Sequence, residues 1–451
     1  MSVRKLFGTD GIRGKANTYP MTGEVAFVLG RAVTSYFQQN LSRKPLIIIG
    51  KDTRLSCYML EQAFSAGVCA QGGKAILTGP LPTPGVAFVT QSMRADAGVM
   101  ISASHNSFED NGIKIFDRTG HKLPDDIELE LEKMVLNPSL IEVRTGDQLG
   151  NAKRLDEVIG RYIVHTKAAL SPQYSLEGLR IVVDGANGAG YKLAPLVFEE
   201  LGAEVIALGN TPNGTNINKL CGALHPQNCS DAVKKYRADL GVCLDGDGDR
   251  LTIVDGNGDV IHGDKLIGLC GKFLKDNNEI GPTNEVVGTV MSNFGLEYYL
   301  QNQGLNFTRT QVGDRYIVER MRQSGALFGG EPSGHLVFKK YSTTGDGILA
   351  ALKVIESIKF YDMDLADLTK IEMFPQMMEN IIVQKRTPFE DVPEIKKAMK
   401  DAETKLGKEG RILLRYSGTE ALARVMVEGK DIDLVTTLTG QLAQAVTKAL
   451  G

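Results

Sequence analysis

Short apolar runs alternate with amphipathic stretches along this chain in a pattern that occurs three times. The segments are "PLIIIGKDTRLSCYMLEQAFSAGVCAQGGKAILTG" from Pro45, "LRIVVDGANGAGYKLAPLVFEELGAEVIALG" from Leu179 and "NEVVGTVMSNFGLEYYLQNQGLNFTRTQVG" from Asn284. Each predicts a strand, a polar or glycine-containing loop, a helix, a glycine stop and a second strand. The near-continuous apolar strands suit sheets covered on both faces. Gly73, Gly202 and Gly304 stand where C-cap glycines are expected. The tail breaks the pattern. "MENIIVQKRT", "RILLRYSGTE" and "ARVMVEGK" predict strands, and "DVPEIKKAMKDAETKLGKEG" and "DIDLVTTLTGQLAQAVTKAL" predict helices, the first closed by Gly407 or Gly410. Their order implies a small α+β unit on an antiparallel sheet.

At 451 residues the chain is too long for one core, and about three or four domains are expected. The boundaries read as 1–165, 166–256, 257–372 and 373–451. A formal net charge of −3, with no basic run, gives no electrostatic case for nucleic acid. The six cysteines show no C-x-x-C or paired metal spacing, which predicts reduced, mostly buried thiols. "MSVRKLFGTDG" lacks an apolar signal core and no run reaches membrane-span length, so a cytoplasmic protein without membrane contact is expected.

Four polar loops follow apolar runs and carry the candidate chemistry. In "GVMISASHNSFEDNGIKIF" an apolar strand delivers Ser102, Ser104 and His105 to a loop. No G-x-S-x-G elbow surrounds these serines, which argues against a hydrolase nucleophile. In "CLDGDGDRL" Asp245, Asp247 and Asp249 alternate with glycines. If extended, the segment puts the three carboxylates on one side, where they suit a hard cation such as Mg²⁺. An EF-hand is excluded, because Arg250 and Gly256 stand where Gly and Glu are needed. A solvated acidic turn is the plain alternative.

In "LLRYSGTEALARV" Arg415 and Arg424 flank Ser417, Gly418 and Thr419, the components of a phosphate cradle or of an ordinary hairpin. "GGEPSGH" places Glu331, Ser333 and His335 in a glycine-rich loop suited to sugar hydroxyls or to a structural turn. Arg13 in "FGTDGIRGKA" is an anion ligand or a surface charge, and "TPNGTNIN" and "VGDRY" are polar loops without an evident role. A metal site, a phosphate cradle and a serine-bearing strand end together point to phosphoryl transfer. No P-loop or kinase glycine loop is present, so a serine carrying the phosphoryl group itself is the favoured arrangement.

Taken in order and spacing, "GTDGIRG", "ISASHN…NGIK", "DGDGDR", "GGEPSGH" and "RYSGTE" resemble the α-D-phosphohexomutase superfamily over essentially the whole chain. "KLFGTDGIRGKAN", "VVGTVMSN" and the length resemble its bacterial branch acting on glucosamine phosphates. The resemblance implies four domains around a central cleft, three related α/β domains with mixed sheets and a C-terminal α+β domain that closes as a lid. It implies an isomerase that interconverts glucosamine 6-phosphate and glucosamine 1-phosphate as a monomer or homodimer, feeding UDP-N-acetylglucosamine and peptidoglycan precursors.

By the same resemblance Ser104 carries the phosphate, and Mg²⁺ is held by Asp245, Asp247, Asp249 and the Ser104 phosphate. Glu331 and Ser333 contact ring hydroxyls with His335 nearby. Arg415, Ser417, Gly418, Thr419 and Arg424 hold the distal phosphate, and Arg13, His105, Lys114 and Arg250 surround Ser104. Two positions depart from the family, Ser107 and Ala421 standing where proline is usual, and each removes a φ constraint from its loop. A mannose or glucose phosphate mutase is the nearest rival. A metal-dependent phosphatase and a non-catalytic sugar-phosphate binder are more distant ones.

Overall fold

A computed structural model describes residues 5–8, 10–39, 41–416 and 422–451. Its strands form four sheets, and the three β-α-β segments seen in the sequence are three parallel pairs. Leu46–Lys51 runs beside Lys74–Pro80, Arg180–Asp184 beside Glu204–Leu208, and Glu285–Thr289 beside Asn306–Thr310. A third strand then lies parallel to the first of each pair: Ala97–Ile101, Leu240–Leu244 and Phe328–Gly330. Each of these turns back as an antiparallel hairpin, into Asp110–Asp117, Leu251–Asp255 and Leu336–Phe338. The order of these four strands is identical in the three sheets, which makes three related α/β units with mixed sheets.

The fourth sheet is antiparallel throughout, with Leu422–Gly429 between Gln376–Ile382 and Gly410–Tyr416. Helices Pro393–Leu406 and Ile432–Leu450 pack on one face of it. Its apolar cluster is separate, whereas one continuous cluster runs from Ile48 through Val183 and Val242 to Phe328 and links the first three units. Helix Gly347–Tyr361 passes through that shared core, and its first eleven residues are all buried. Each fully buried Leu, Ile or Val contributes about 1.5–3 kcal/mol of transfer free energy.

Local sequence explains most of this placement, with two corrections. Gly202 and Gly304 do end their helices at positive φ, but in the first unit that role falls to Gly72, with φ of +89°. Gly73 is needed for space instead, since a Cβ there would sit 2.8 Å from Thr34 and Val68. In the tail Gly407, at φ +56°, is the residue that closes its helix. The second correction concerns "DGDGDR". It does not stay extended. The strand ends at Leu244, and a turn closed by Gly248 N–H donating to the Asp245 carbonyl (3.1 Å) curls the segment. The cysteines are free thiols, five of them buried. No helix among the described residues is long and apolar enough to cross a membrane.

Candidate active site

In the first three units the hairpin that follows the parallel strands presents the candidate loop. Strand Ala97–Ile101 is fully buried and leads into the two serines, which the structure separates. Ser102 Oγ donates to Asp52 Oδ2 (2.6 Å) and accepts from the Ser104 N–H (2.9 Å), so it shapes the turn. Ser104 takes the left-handed conformation, φ +53°, and its hydroxyl donates to Asp245 Oδ2 at 2.6 Å.

The loop that follows is held from outside. The buried Arg54 guanidinium donates to the carbonyls of Ser104 (2.9 Å), Asn106 (2.9 Å), Asp110 (3.1 Å) and Ser107. Asn218, from "TPNGTNIN", donates to the carbonyls of Ser104 (2.9 Å) and Asn106 (3.0 Å). This clamp constrains the backbone around Ser107, the position where the sequence resemblance leads to an expectation of proline. Gly246 must be glycine, because a Cβ would lie 2.5 Å from the Ser104 carbonyl oxygen.

The turn after Leu244 gathers Asp245, Asp247 and Asp249, all buried, with one carboxylate oxygen from each within 4.8 Å of the others. Lys114, on the return strand of the Ser104 hairpin and 1% exposed, bridges Asp247 (2.8 Å), Asp10 (3.2 Å) and Asp249 (3.4 Å). Burial opposes its charge, yet Asp10, Asp247 and Asp249 hold its pKa well above the usual lysine range. For Asp245 burial, then Asp249 and Asp247, push the carboxyl well above the ordinary range, against the opposing pull of Arg250 and the Ser104 hydroxyl. Asp249 is held well below it, against burial, by Lys114, His335 and Arg250. Asp247 Oδ1 is buried without a hydrogen-bond partner among the described residues. Three converging carboxylates with an unsatisfied oxygen fit a hard divalent cation.

Beside this cluster lies a cavity of about 380 Å³ lined by Asp10, Arg13, Arg250, Asp314, Glu331 and His335, among others. Arg13 pairs with Asp10. The "GGEPSGH" loop is itself a tight hairpin, with Gly334 N–H on the Glu331 carbonyl (3.0 Å) and Glu331 N–H on the His335 carbonyl (2.9 Å). Gly334, at φ +84°, lets the loop touch the second unit, since a Cβ would meet the Leu251 carbonyl at 1.8 Å. Glu331 Oε1 accepts from the Gly313 N–H (3.0 Å), while Ser333 is exposed.

His335 Nδ1 lies 3.8 Å from Asp249 and its Nε2 3.7 Å from Asp314. Burial opposes protonation of this ring, and Asp249, Asp314 and Glu331 raise its pKa all the same. His105 shifts the other way, lowered by burial and then by Arg250 and Arg13, which favours the neutral imidazole.

The hairpin Gly410–Tyr416/Leu422–Gly429 sets Arg415 directly opposite Arg424 in the sheet register. Two cations directly opposite on neighbouring strands concentrate positive charge, which suits the pair to an anionic ligand. Ser417, Gly418, Thr419 and Ala421 lie outside the described residues. Ser104, His105, Lys114, Arg13, Arg250, the three aspartates, Glu331 and His335 thus converge from three units. The Arg415–Arg424 pair belongs to the fourth.

Several contributors carried no sequence signal of their own. Asp10 and Asp314, both lining the cavity, are joined by Lys122, which pairs with each of them. Asp314 and Asn218 sat in the polar loops "VGDRY" and "TPNGTNIN", which were visible but mute. Arg54 carries no distinguishing mark in the sequence. Only its burial reveals the clamp.

Comparison with known proteins finds relatives along the whole chain. Residues 4–141, 160–258 and 262–374 match phosphoglucomutase/phosphomannomutase alpha/beta/alpha domains I, II and III, and residues 378–445 match the C-terminal domain. A phosphoglucosamine mutase of Nitratidesulfovibrio vulgaris (strain DP4) is 50% identical over 449 residues, 99% of each chain. One from Desulfovibrio desulfuricans is 51% identical over 448 residues, again 99% of each. Among solved structures, a phosphoglucomutase/phosphomannomutase family protein from Burkholderia thailandensis superposes with a TM-score of 0.82 at 24% identity, covering 98% of this chain and 97% of that one. Aspergillus fumigatus N-acetylphosphoglucosamine mutase, in complex with GlcNAc-6P and magnesium, gives 0.69 at 18% identity, covering 99% and 96%. At such identities the structural likeness concerns the fold.

Proposed function

This chain belongs to the phosphoglucomutase/phosphomannomutase family of α-D-phosphohexomutases, and we propose that it is a phosphoglucosamine mutase, interconverting glucosamine 6-phosphate and glucosamine 1-phosphate. The observation that carries the chemistry is the Ser104 hydroxyl at 2.6 Å from Asp245, inside a buried acidic triplet whose other two members share Lys114. The sugar assignment rests on relatives at about half identity over the whole chain that bear this name.

In the proposed cycle Ser104 carries a phosphoryl group. Its P–Oγ bond breaks as a bond forms to the free hydroxyl of the bound sugar phosphate. The hydroxyl proton passes to a base, for which neutral His105 is suited. The bisphosphorylated sugar turns in the cleft, and its other phosphoryl group returns to Ser104 in the reverse sense. Lys114, Arg13 and Arg250 offset the charge of the phosphoryl oxygens, which amounts to about −1.5 to −2 on a phosphoserine.

Asp245, Asp247 and Asp249 would hold Mg²⁺ together with the Ser104 phosphate. The cation, when bound, supplies charge neutralisation and polarises the breaking P–O bond. Glu331, Ser333 and His335 orient ring hydroxyls. Arg415, Ser417, Gly418, Thr419 and Arg424 grip the non-reacting phosphate, and by recognising phosphate rather than sugar they accept either end of the intermediate.

The division at 165/166, 256/257 and 372/373 then gives one loop per domain, with the last domain closing the cleft. The setting is a cytoplasmic enzyme, monomer or homodimer, supplying UDP-N-acetylglucosamine. Turnover of glucosamine 6-phosphate, mannose 1-phosphate and glucose 1-phosphate is the test. Glucosamine 6-phosphate should be preferred by at least about tenfold in kcat/KM, a difference of about 1.4 kcal/mol. A preference for a hexose without the amine would overturn the assignment, and phosphate release without isomer formation would indicate a phosphatase.

A further inference from the structure

The two oxygens of Asp247 are treated differently. Oδ2 accepts twice, from Lys114 Nζ at 2.8 Å and from Thr83 Oγ1 at 2.6 Å, while Oδ1 is buried and has no hydrogen-bond partner among the described residues. Thr83 comes from the first unit, 164 residues away, and is 0% exposed. It opens helix Thr83–Ser92, and its backbone N–H also donates to the Asp247 carbonyl at 2.8 Å. The acidic turn therefore docks on this helix by two hydrogen bonds from one residue. The approach is close, since a Cβ on Gly248 would stand 3.2 Å from Pro82.

We propose that Thr83 is a positioning residue of the metal site, fixing the rotation of the Asp247 carboxylate so that Oδ1 is the oxygen offered to the cation. A carboxylate held only by Lys114 would keep its charge partner but could rotate about its last bond, and either oxygen could then face the triplet. The threonine hydroxyl removes that freedom. Threonine suits the task because its branched Cβ restricts χ1, which narrows the directions open to the hydroxyl. The N-terminal end of the helix adds a favourable dipole for the acidic turn. Partners that orient a metal ligand in this way typically change metal affinity by about 10–100-fold when removed.

This inference rests on the metal reading above, and the experiment separates the two. The full-length parent, Thr83→Val and Thr83→Ser are titrated with Mn²⁺, free ion being read by electron paramagnetic resonance. Thr83→Val keeps the shape and loses the hydroxyl. It should bind Mn²⁺ about tenfold more weakly, and Thr83→Ser should recover to within about threefold of the parent. The metal concentration giving half-maximal turnover should move by the same factor, with KM for sugar phosphate unchanged at saturating metal.

If Thr83→Val is destabilised, the rise in Tm with Mn²⁺ concentration reports the same affinity loss, since a ligand that binds only the folded state stabilises it by RT ln(1 + c/Kd) at free concentration c. Mn²⁺ affinity of Thr83→Val within twofold of the parent overturns the inference. So does a higher KM for sugar phosphate with metal affinity intact, which would make the contact one of domain packing. A parent that binds no Mn²⁺ overturns the metal reading and this inference with it.

Discussion

Lys114 and Arg424 are both cations on strands that lead to a candidate loop, yet the molecule holds them in opposite ways. Lys114 is buried, and its partners Asp10, Asp247 and Asp249 come from two different units. Arg424 is half-buried and stands opposite Arg415 on the neighbouring strand of its own hairpin, in a unit with a separate core. The first arrangement fixes charge before the substrate arrives, as phosphoryl transfer requires when electrostatic preorganisation supplies most of the rate. The second sets two arginines opposite each other on neighbouring strands, an arrangement suited to receiving an anionic group. In the proposed reaction one end of the cleft does chemistry, and the other grips and releases whichever phosphate is not reacting.

Removing Ser104 should produce the largest effect and break the first region alone. Ser104→Ala should lower mutase turnover by about 10⁴-fold or more while the far-ultraviolet circular dichroism stays that of the parent. Near-normal activity would show that the phosphoryl group is carried elsewhere.

A smaller effect should come from the second region. Arg424→Ala should reduce kcat/KM for the sugar phosphate by roughly 10–100-fold, the range expected when one charge-assisted hydrogen bond worth about 1.5–3 kcal/mol is lost. Most of the loss should appear in KM. Steady-state kinetics with unchanged KM and kcat would remove Arg424 from the phosphate grip.

The smallest effect concerns the seam that ties the second region's unit to the third unit. Arg411, on the last sheet, donates to the Ser292 carbonyl (2.8 Å) and pairs with Glu428, while Asp264 nearby accepts from the Asn293 N–H (2.8 Å). Burial pushes the Asp264 carboxyl up to about 6 despite the Asn293 N–H, Arg309 and Arg411. The folded state therefore takes up a proton as pH falls through 6, before the unfolded chain does near 4. This carboxyl costs stability in full above pH 6, and the cost fades between pH 6 and 4. Asp264→Asn should thus gain on the order of 2 kcal/mol relative to the parent at pH 8 compared with pH 4. Urea unfolding at the two pH values measures it, and an equal difference at both would refute the assignment.

The three α/β units were legible in the chain because burying a strand on both faces demands an unbroken apolar run and helices demand periodicity. The same-sheet parallel pairs followed from spacing alone. The antiparallel tail was legible for a similar reason. The small errors were local. Gly72 and Gly73 differ in which one needs positive φ and which one needs space, and adjacent glycines look alike in sequence. The acidic triplet was recognisable by its residue types, but its curl was not, because glycine permits both extended and turned backbones.

What the sequence by itself determined was a set of chemistry-bearing loops, each bounded by apolar strands, and the residue types within them: Ser104, the three aspartates, Glu331 and His335, Arg415 and Arg424. These signals survive in one dimension because strand, turn and charge pattern are local properties. Tertiary structure alone decided that Ser102 turns toward Asp52 while Ser104 reaches Asp245. It alone decided that Arg54 and Asn218 clamp the serine loop and that Thr83 and Lys114 share one oxygen of Asp247. Those contacts join residues up to 164 positions apart, mostly across different units. A hydrogen bond of 2–3 Å between such residues depends on how whole sheets pack, which no short stretch of sequence encodes.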